Sequence, residues 1–261
     1  MKKWFTLSVC SVFVVCALTS SLAVAKGLKF TREESKVLDA KAAKSIHIIN
    51  DAGGIDISPS KDKMVSIKVL YKATDQQALD DYALETSLEG SKLVVNVKTP
   101  KPRAKPGSNW NAHLTISIPQ DVKLDISSDA GKVTVNDFHG ELSANIDAAR
   151  FVGNRLSLKG NNVITVDAGH LELLNLTVSN GTKIDLSGDA ASIVVTGIDM
   201  SVWSNANVNI EADAGRINID KKFNGIFNVR SGVAEESLAK VVKAPVLIFS
   251  ASVDAGTISL E

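Results

Sequence analysis

The sequence predicts an all-β chain folded as a stack of short coils, a β-solenoid with one turn per unit of about 20 residues. Three observations lead there. First, an aspartate followed by an alanine and a tiny residue occurs seven times, starting at Asp51, Asp129, Asp147, Asp167, Asp189, Asp213 and Asp254. Second, apolar residues alternate at period two on both sides of these copies, the signature of strands with one buried face. Third, the parity of that alternation changes at the tiny residue, which is glycine in five copies and alanine in two (Ala149 and Ala191). The copies from Asp129 to Asp213 follow one another at nearly the same step, and the gaps after Asp51 and Asp213 are close to whole multiples of it.

Each unit reads as strand, corner, strand. Three residues before the aspartates stand Ile48, Ile126, Ala144, Ile164, Leu186, Ile210 and Ala251. Four and six residues after them stand Ile55/Ile57, Val133/Val135, Leu171/Leu173, Ile193/Val195, Ile217/Ile219 and Ile258/Leu260, while the copy at Asp147 keeps Phe151 but has Gly153. The parity change marks one inserted residue at a bend, where glycine tolerates backbone angles that other residues avoid. By parity, the alanine after each aspartate is expected to face inward, small because the interior is tightest there. The aspartate is expected to cap its corner through an Asx-type bond to the amide two residues on. Leu156/Leu158, Leu176/Val178, Met200/Val202 and Phe227/Val229 supply the remaining faces. A unit this short cannot hold a βαβ crossover. A β-sandwich of hairpins is the alternative, because turn signals at short regular intervals also suit it; the constant registry of the corner favours the stack.

Residues 1–25 read as a secretory signal. Lys2 and Lys3 form the charged start, 4–22 the apolar stretch, and Ala23-Val24-Ala25 the cleavage triplet. The chain is therefore expected in the periplasm, on the outer surface or outside the cell, with no transmembrane span after cleavage. Cys10 and Cys16 both lie in that segment, which leaves 26–261 without a thiol, a disulfide or a cysteine metal ligand. Each follows a valine (Val9, Val15), an unsuitable neighbour for a lipid-modified cysteine. Removing Lys2 and Lys3 leaves 29 − 2 = 27 basic against 29 acidic residues, a net charge of −2. Such a chain has no field with which to gather nucleic acid or an anionic membrane.

The domain 26–261 divides into an irregular strand region (26–122), regular repeats (123–230), a degenerate capping segment (231–246) and a final coil (247–261). Long strands are expected near 65–71, 92–97 and 113–118, with short helices over 75–82 and 234–242. A stack has open edges at its ends. The terminal coil is thus expected to be covered by 231–246 or to meet a partner, including a second copy.

Three runs carry a resemblance. They are Ser45-Ile46-His47-Ile48-Ile49-Asn50-Asp51-Ala52-Gly53-Gly54-Ile55-Asp56-Ile57, then Leu114-Thr115-Ile116-Ser117-Ile118-Pro119, then Leu124-Asp125-Ile126-Ser127-Ser128-Asp129-Ala130-Gly131-Lys132-Val133-Thr134-Val135. With the short repeats that follow, they resemble the bacterial putative-adhesin family of unknown function over most of 36–261. The resemblance implies a right-handed β-solenoid or β-helix and a role in surface interaction, and it brings no catalytic set.

The aspartate column is the one constellation with possible chemistry. Stacked in register, its charges recur about every 4.8 Å and repel by roughly 1 kcal/mol even in water. Calcium is the sharper reading, but the glycine-rich nonapeptide of calcium-binding β-rolls is not this repeat. His47, His113, His139 and His170 lack a metal-ligand rhythm and read as surface imidazoles. No nucleophile elbow, phosphate loop or zinc signature occurs. Lys98, Lys101, Arg103 and Lys105, interleaved with Pro100, Pro102 and Pro106 and leading to Trp110, read as an extended solvated connection that can also meet an anionic glycan or phosphate. Polysaccharide lyases and hydrolases use β-helices, which makes an enzyme a further alternative. Against it, 26–261 hold ten aromatic residues, with Trp110 and Trp203 the tryptophans, and no carboxylate pair stands out. No catalytic, cofactor or metal residue is assigned. The sequence predicts a secreted, non-catalytic structural or interaction module of the envelope. Its partner is an envelope or cell-surface polymer or protein, with specificity in 72–112 and 231–246.

Overall fold

A computed structural model describes residues 28–99, 109–198, 206–219, 226–231, 234–239 and 248–260, and of 226–231, 234–239, 248, 249 and 260 the backbone alone. The region before the regular repeats contains β1 (Phe30–Asp39), β2 (Ser45–Asn50), β3 (Ile55–Pro59), β4 (Met64–Ala73), helix α1 (Gln76–Asp80), β5 (Ala83–Glu89), β6 (Lys92–Lys98) and β7 (Trp110–Ile118). The repeats follow as β8 (Lys123–Asn136), β9 (His139–Asn154), β10 (Ser157–Leu158), β11 (Asn161–Val166), β12 (Ala168–Leu174), β13 (Thr177–Val178), β14 (Lys183–Gly188), β15 (Ala190–Thr196) and β16 (Asn207–Ile219). Last come β17 (Ile226–Ser231), β18 (Ala234–Ala239) and β19 (Ile248–Leu260). Helix α1 falls inside the expected 75–82, capped by Asp75, whose Oδ1 accepts the Ala78 amide at 2.8 Å.

The chain is all-β, and its repeats pair in parallel, rung on rung. Ile48 lies beside Ile126, Ile126 beside Ala144, then Ile164, Leu186, Ile210 and Ala251 in turn. The apolar position read from sequence is thus a physical column, each member at most 3% exposed. A second column runs Ile55, Val133, Phe151, Leu171, Ile193 and Ile217. A third face is carried by β10 and β13, which add buried Leu158 and Val178. Parallel pairing of successive units rules against the hairpin sandwich, whose sheets are antiparallel.

A uniform solenoid in chain order is not what forms. Rung β6–β7 lies before β2–β3, since β2 pairs with both β6 and β8 and β3 with both β7 and β8. At the other end β19 stands between β16 and β17. Antiparallel strands finish both ends: β1 on β4, β4 on β7, β5 on β6 and β18 on β17. The segment 234–239 is therefore a strand, not the expected helix. Its helix-favouring Ala-Glu-Glu-Ser-Leu-Ala is overridden because pairing with β17 uses its backbone. The hairpin of β17 and β18 covers the first half of the final rung.

The opening at the amino-terminal end is closed by side chains. Arg32 Nη2 donates to Tyr82 O, just before β5, and Lys36 Nζ to Leu84 O within it, both at 2.6 Å, so β1 satisfies these carbonyls through side chains. Arg32 also lies 4.7 Å from the Tyr71 ring centre, and Tyr71 stacks on Tyr82 at 4.9 Å. Charged side chains used this way on an edge strand discourage pairing with stray chains.

At the corner the alanines do not face inward. Ala130, Ala148, Ala168, Ala190, Ala214 and Ala255 are exposed and Ala52 is half-buried. The inward set stops one residue before each aspartate, at Asn50, Ser128, Ile146, Val166, Gly188, Ala212 and Val253. The tight contact lies between rungs. A methyl group at Gly131 would sit 1.8 Å from Gly53 O, and at Gly169, Gly215 and Gly256 it would sit 1.9 Å from the carbonyl of Ala149, Ala191 and Gly215 respectively. In the alanine copy at Ala191 the methyl turns inward, into space that a side chain at Gly188 would occupy.

Two features of the coil carry no repeat signal in the sequence. A second corner is turned by Asp137, Arg155, Asn175 and Gly197, all left-handed with φ between 53° and 65°. Their identities differ, so the shared spacing hides. At a third bend the buried Asn162 joins three rungs: its Oδ1 accepts Leu142 N at 2.8 Å, and its Nδ2 donates to Lys159 O at 3.3 Å and Lys183 O at 3.0 Å.

Gly131→Ala should cost about 2–4 kcal/mol, since φ is 126° and a carbonyl occupies the methyl site. Asn162→Ala should cost about 2–4 kcal/mol by leaving buried backbone groups unpaired. Urea unfolding measures both. A loss no larger than an ordinary surface substitution gives, in either variant, contradicts the contact described.

Candidate functional site

The parallel register brings the seven aspartates to one ridge. Asp129 shows the consequence: partial loss of water lifts its carboxyl above the ordinary aspartate range, and the neighbouring charges of Asp51 and Asp147 lift it further. The expected Asx bond does not form. Asp51 instead accepts Thr99 Oγ1 at 3.0 Å, and among the described residues the other six ridge aspartates (Asp129, Asp147, Asp167, Asp189, Asp213 and Asp254) take no hydrogen bond. The reason is competition. The amide that Asp51 would use, Gly53 N, already donates to Ala130 O on the next rung at 3.0 Å.

Three residues beyond the ridge a second outward column runs Lys132, Arg150, His170, Ser192 and Arg216. Cations thus flank the carboxylates without reaching them. Arg150 pairs with Glu172, two positions further along the next strand, and His170 Nε2 stands 3.7 Å from the same carboxylate.

Beside the first two rungs of the ridge lies an open groove of about 650 Å³, lined by the corner backbone at Ala52–Gly54 and Ala130–Gly131 and by Asp56, Trp110, Asn111, His113 and Lys132. Trp110 enters it from the start of β7 and is half-buried against the core. His113 Nε2 is 2.9 Å from Asp56 Oδ2. The imidazole lies over Gly54, where a methyl would be 2.4 Å from Nδ1, so the glycine makes room for the ring. Lys132 is exposed and has no ion-pair or hydrogen-bond partner among the described residues. The groove offers an aromatic surface, one cation, a carboxylate–imidazole pair and the exposed corner backbone at Gly131. These are the means of holding a polar chain.

Of the residues singled out in sequence, the structure brings together the Asp-Ala-Gly corner, Trp110 and His113. Lys98 is drawn away to Glu85 at 2.6 Å. Pro100, Lys101, Pro102, Arg103, Lys105, Pro106, Met200, Val202 and Trp203 lie outside the described residues, as do 1–25 with Cys10 and Cys16. His47 faces outward on β2, its imidazole depressed by partial burial and by Lys92. His139 lies 3.8 Å from Asp121, whose carboxylate is held chiefly by Lys159. The His113–Asp56 pair was not legible, because nothing in the alternation says that β7 lies beside β3. Among the described residues no group of three or more His, Cys, Asp or Glu converges as a metal site, and no helix is long and apolar enough to cross a membrane.

Asp129→Asn removes a charge that the ridge opposes. The folded carboxyl titrates above the unfolded one, so the ridge is penalised at neutral pH and relieved as pH falls through the folded value. The variant should melt about 1–2 °C higher at pH 7, and the gain should vanish below about pH 4. A gain that persists in acid would mean that charge is not its origin. Calcium at millimolar concentration should leave the melting temperature unchanged; a rise would establish the ridge as a calcium ladder.

No family model and no curated protein matches the chain. Among solved structures it is similar to a putative cell adhesion protein from Clostridium sporogenes, at 12% identity over 88% of this chain and 99% of that one, with a TM-score of 0.38. It is similar also to a putative adhesin from Bacteroides fragilis, at 11% identity over 91% of this chain and 98% of that one, with a TM-score of 0.40. A putative lipid binding protein from Parabacteroides distasonis shares 13% identity over 88% and 92% of the two chains, with a TM-score of 0.26. All three come from bacteria, and the names of the first two concern adhesion.

Proposed function

We propose that the chain is a secreted, non-catalytic interaction module of the bacterial envelope, and that it holds an envelope or cell-surface polymer along the corner ridge. The observation that carries this reading is the in-register ridge opening at one end onto the groove of Trp110, His113, Asp56 and Lys132. A stack of identical corners presents the same groups at every rung, which suits a ligand that itself repeats. The groove breaks that monotony and gives one place where an aromatic side chain, a cation and a hydrogen-bonding pair act together. The coils would wind right-handed, the sense that twisted parallel strands adopt when a connection returns to the same sheet.

Trp110→Ala and Lys132→Glu should each weaken retention on an insoluble envelope fraction at least tenfold, about 1.4 kcal/mol, measured below the melting transition of each variant, with the melting temperature of Lys132→Glu unchanged within about 2 °C. Asp189→Asn, on the ridge three rungs beyond the groove, should weaken retention less than either groove variant. Retention undiminished by both groove variants would sink the site. Release of soluble saccharide ends from the same fraction would sink the non-catalytic reading and favour a polysaccharide-acting enzyme.

A further inference from the structure

β17 carries the spacing of the rung that should follow β16: the step from Asn207 to Ile226 matches that between the other units. Yet the two are not neighbours. Ile248 of β19 faces Asn207 on one side and Ile226 on the other, so β16 and β17 keep a common register across a slot one strand wide. β19 pairs in parallel with both walls from Ile248 to Val253 and then, among the described residues, with β16 from Ala255 to Leu260.

We propose that this slot accepts β19 from a second copy of the chain, so that copies join by exchanging the strand. Among the described residues β19's ladder partners lie on β16 and β17, and these walls are the same in every copy. The pairing is therefore indifferent to which chain supplies the strand, and local concentration decides between closure and exchange. The slot also names its occupant. At the corner Ala255 stacks on Ala214 and Gly256 on Gly215, where a methyl group on Gly256 would lie 1.9 Å from Gly215 O. A strand with a side chain at that position would meet the Gly215 carbonyl unless its corner turned differently, as it does at Ala191; β19 of another copy fits as it stands. The inference is independent of the function proposed above.

The test uses cysteines on a background with Cys10→Ser and Cys16→Ser. Ala214→Cys and Ala255→Cys in a single chain should form an intrachain disulfide, because adjacent parallel strands hold Cα atoms within disulfide range. The same two substitutions are then placed on separate chains with tags of different size, co-expressed in an oxidising compartment and resolved without reductant. Exchange predicts a disulfide-linked dimer of the two sizes, at least several-fold above a control pair in which Ala148→Cys, on a rung that does not border β19, replaces Ala214→Cys. A hetero-dimer no more abundant than in the control overturns the proposal. Failure of the single-chain disulfide overturns it too, because the pairing it rests on would then be wrong.

Discussion

The close approach of backbone to backbone at the Asp-Ala-Gly corner is the constraint on which the rest of the structure depends. Each glycine there lets a carbonyl of the rung below come where a side chain would otherwise stand, at 1.8 to 1.9 Å from the missing methyl in four of the copies. A contact that specific admits one register. A slip by one residue would send every inward side chain to the solvent face. With register set, the columns follow: Ile48 to Ala251 on one face, Ile55 to Ile217 on the next, and the aspartates along the edge. Dense interior packing is then the product of repetition rather than of a unique jigsaw.

The same constraint creates the electrostatic character of the edge. Register that stacks isoleucine on isoleucine must also stack carboxylate on carboxylate, and Asp129 carries the strain in a raised affinity for its proton. Among the described residues the ridge carboxylates accept no backbone amide, Gly53 N being spent on the ladder at Asp51. They remain tolerable because they stand in water, where repulsion is weak. A flanking column of Lys132, Arg150 and Arg216 leans the local field back toward neutrality. The groove arises where this regularity lapses: Gly54 replaces the flanking side chain, and His113 from the neighbouring strand fills its place.

The ends obey a different rule. A parallel rung leaves a row of unpaired groups, and both ends of this stack meet the problem with antiparallel strands and with rungs out of chain order. At the amino-terminal end the seam between β1 and β5 is bridged by Arg32 and Lys36 rather than by backbone. At the other end a strand is inserted between two walls that already agree in register.

The sequence by itself determined the period, the two apolar columns, the corner, the short helix near Gln76 and the all-β class. Each is written in residues close together, whose alternation or spacing survives whatever the distant chain does. Only the tertiary structure decided which way Ala130 points, that 234–239 pairs as a strand, that β19 enters between β16 and β17, and that His113 meets Asp56. The alanines were misread because parity counts residues and cannot register the turn that carries them outward. Rung order was hidden because backbone hydrogen bonds are alike in every strand. Which strands become neighbours depends on contacts between residues far apart in the chain, and no local pattern encodes that choice.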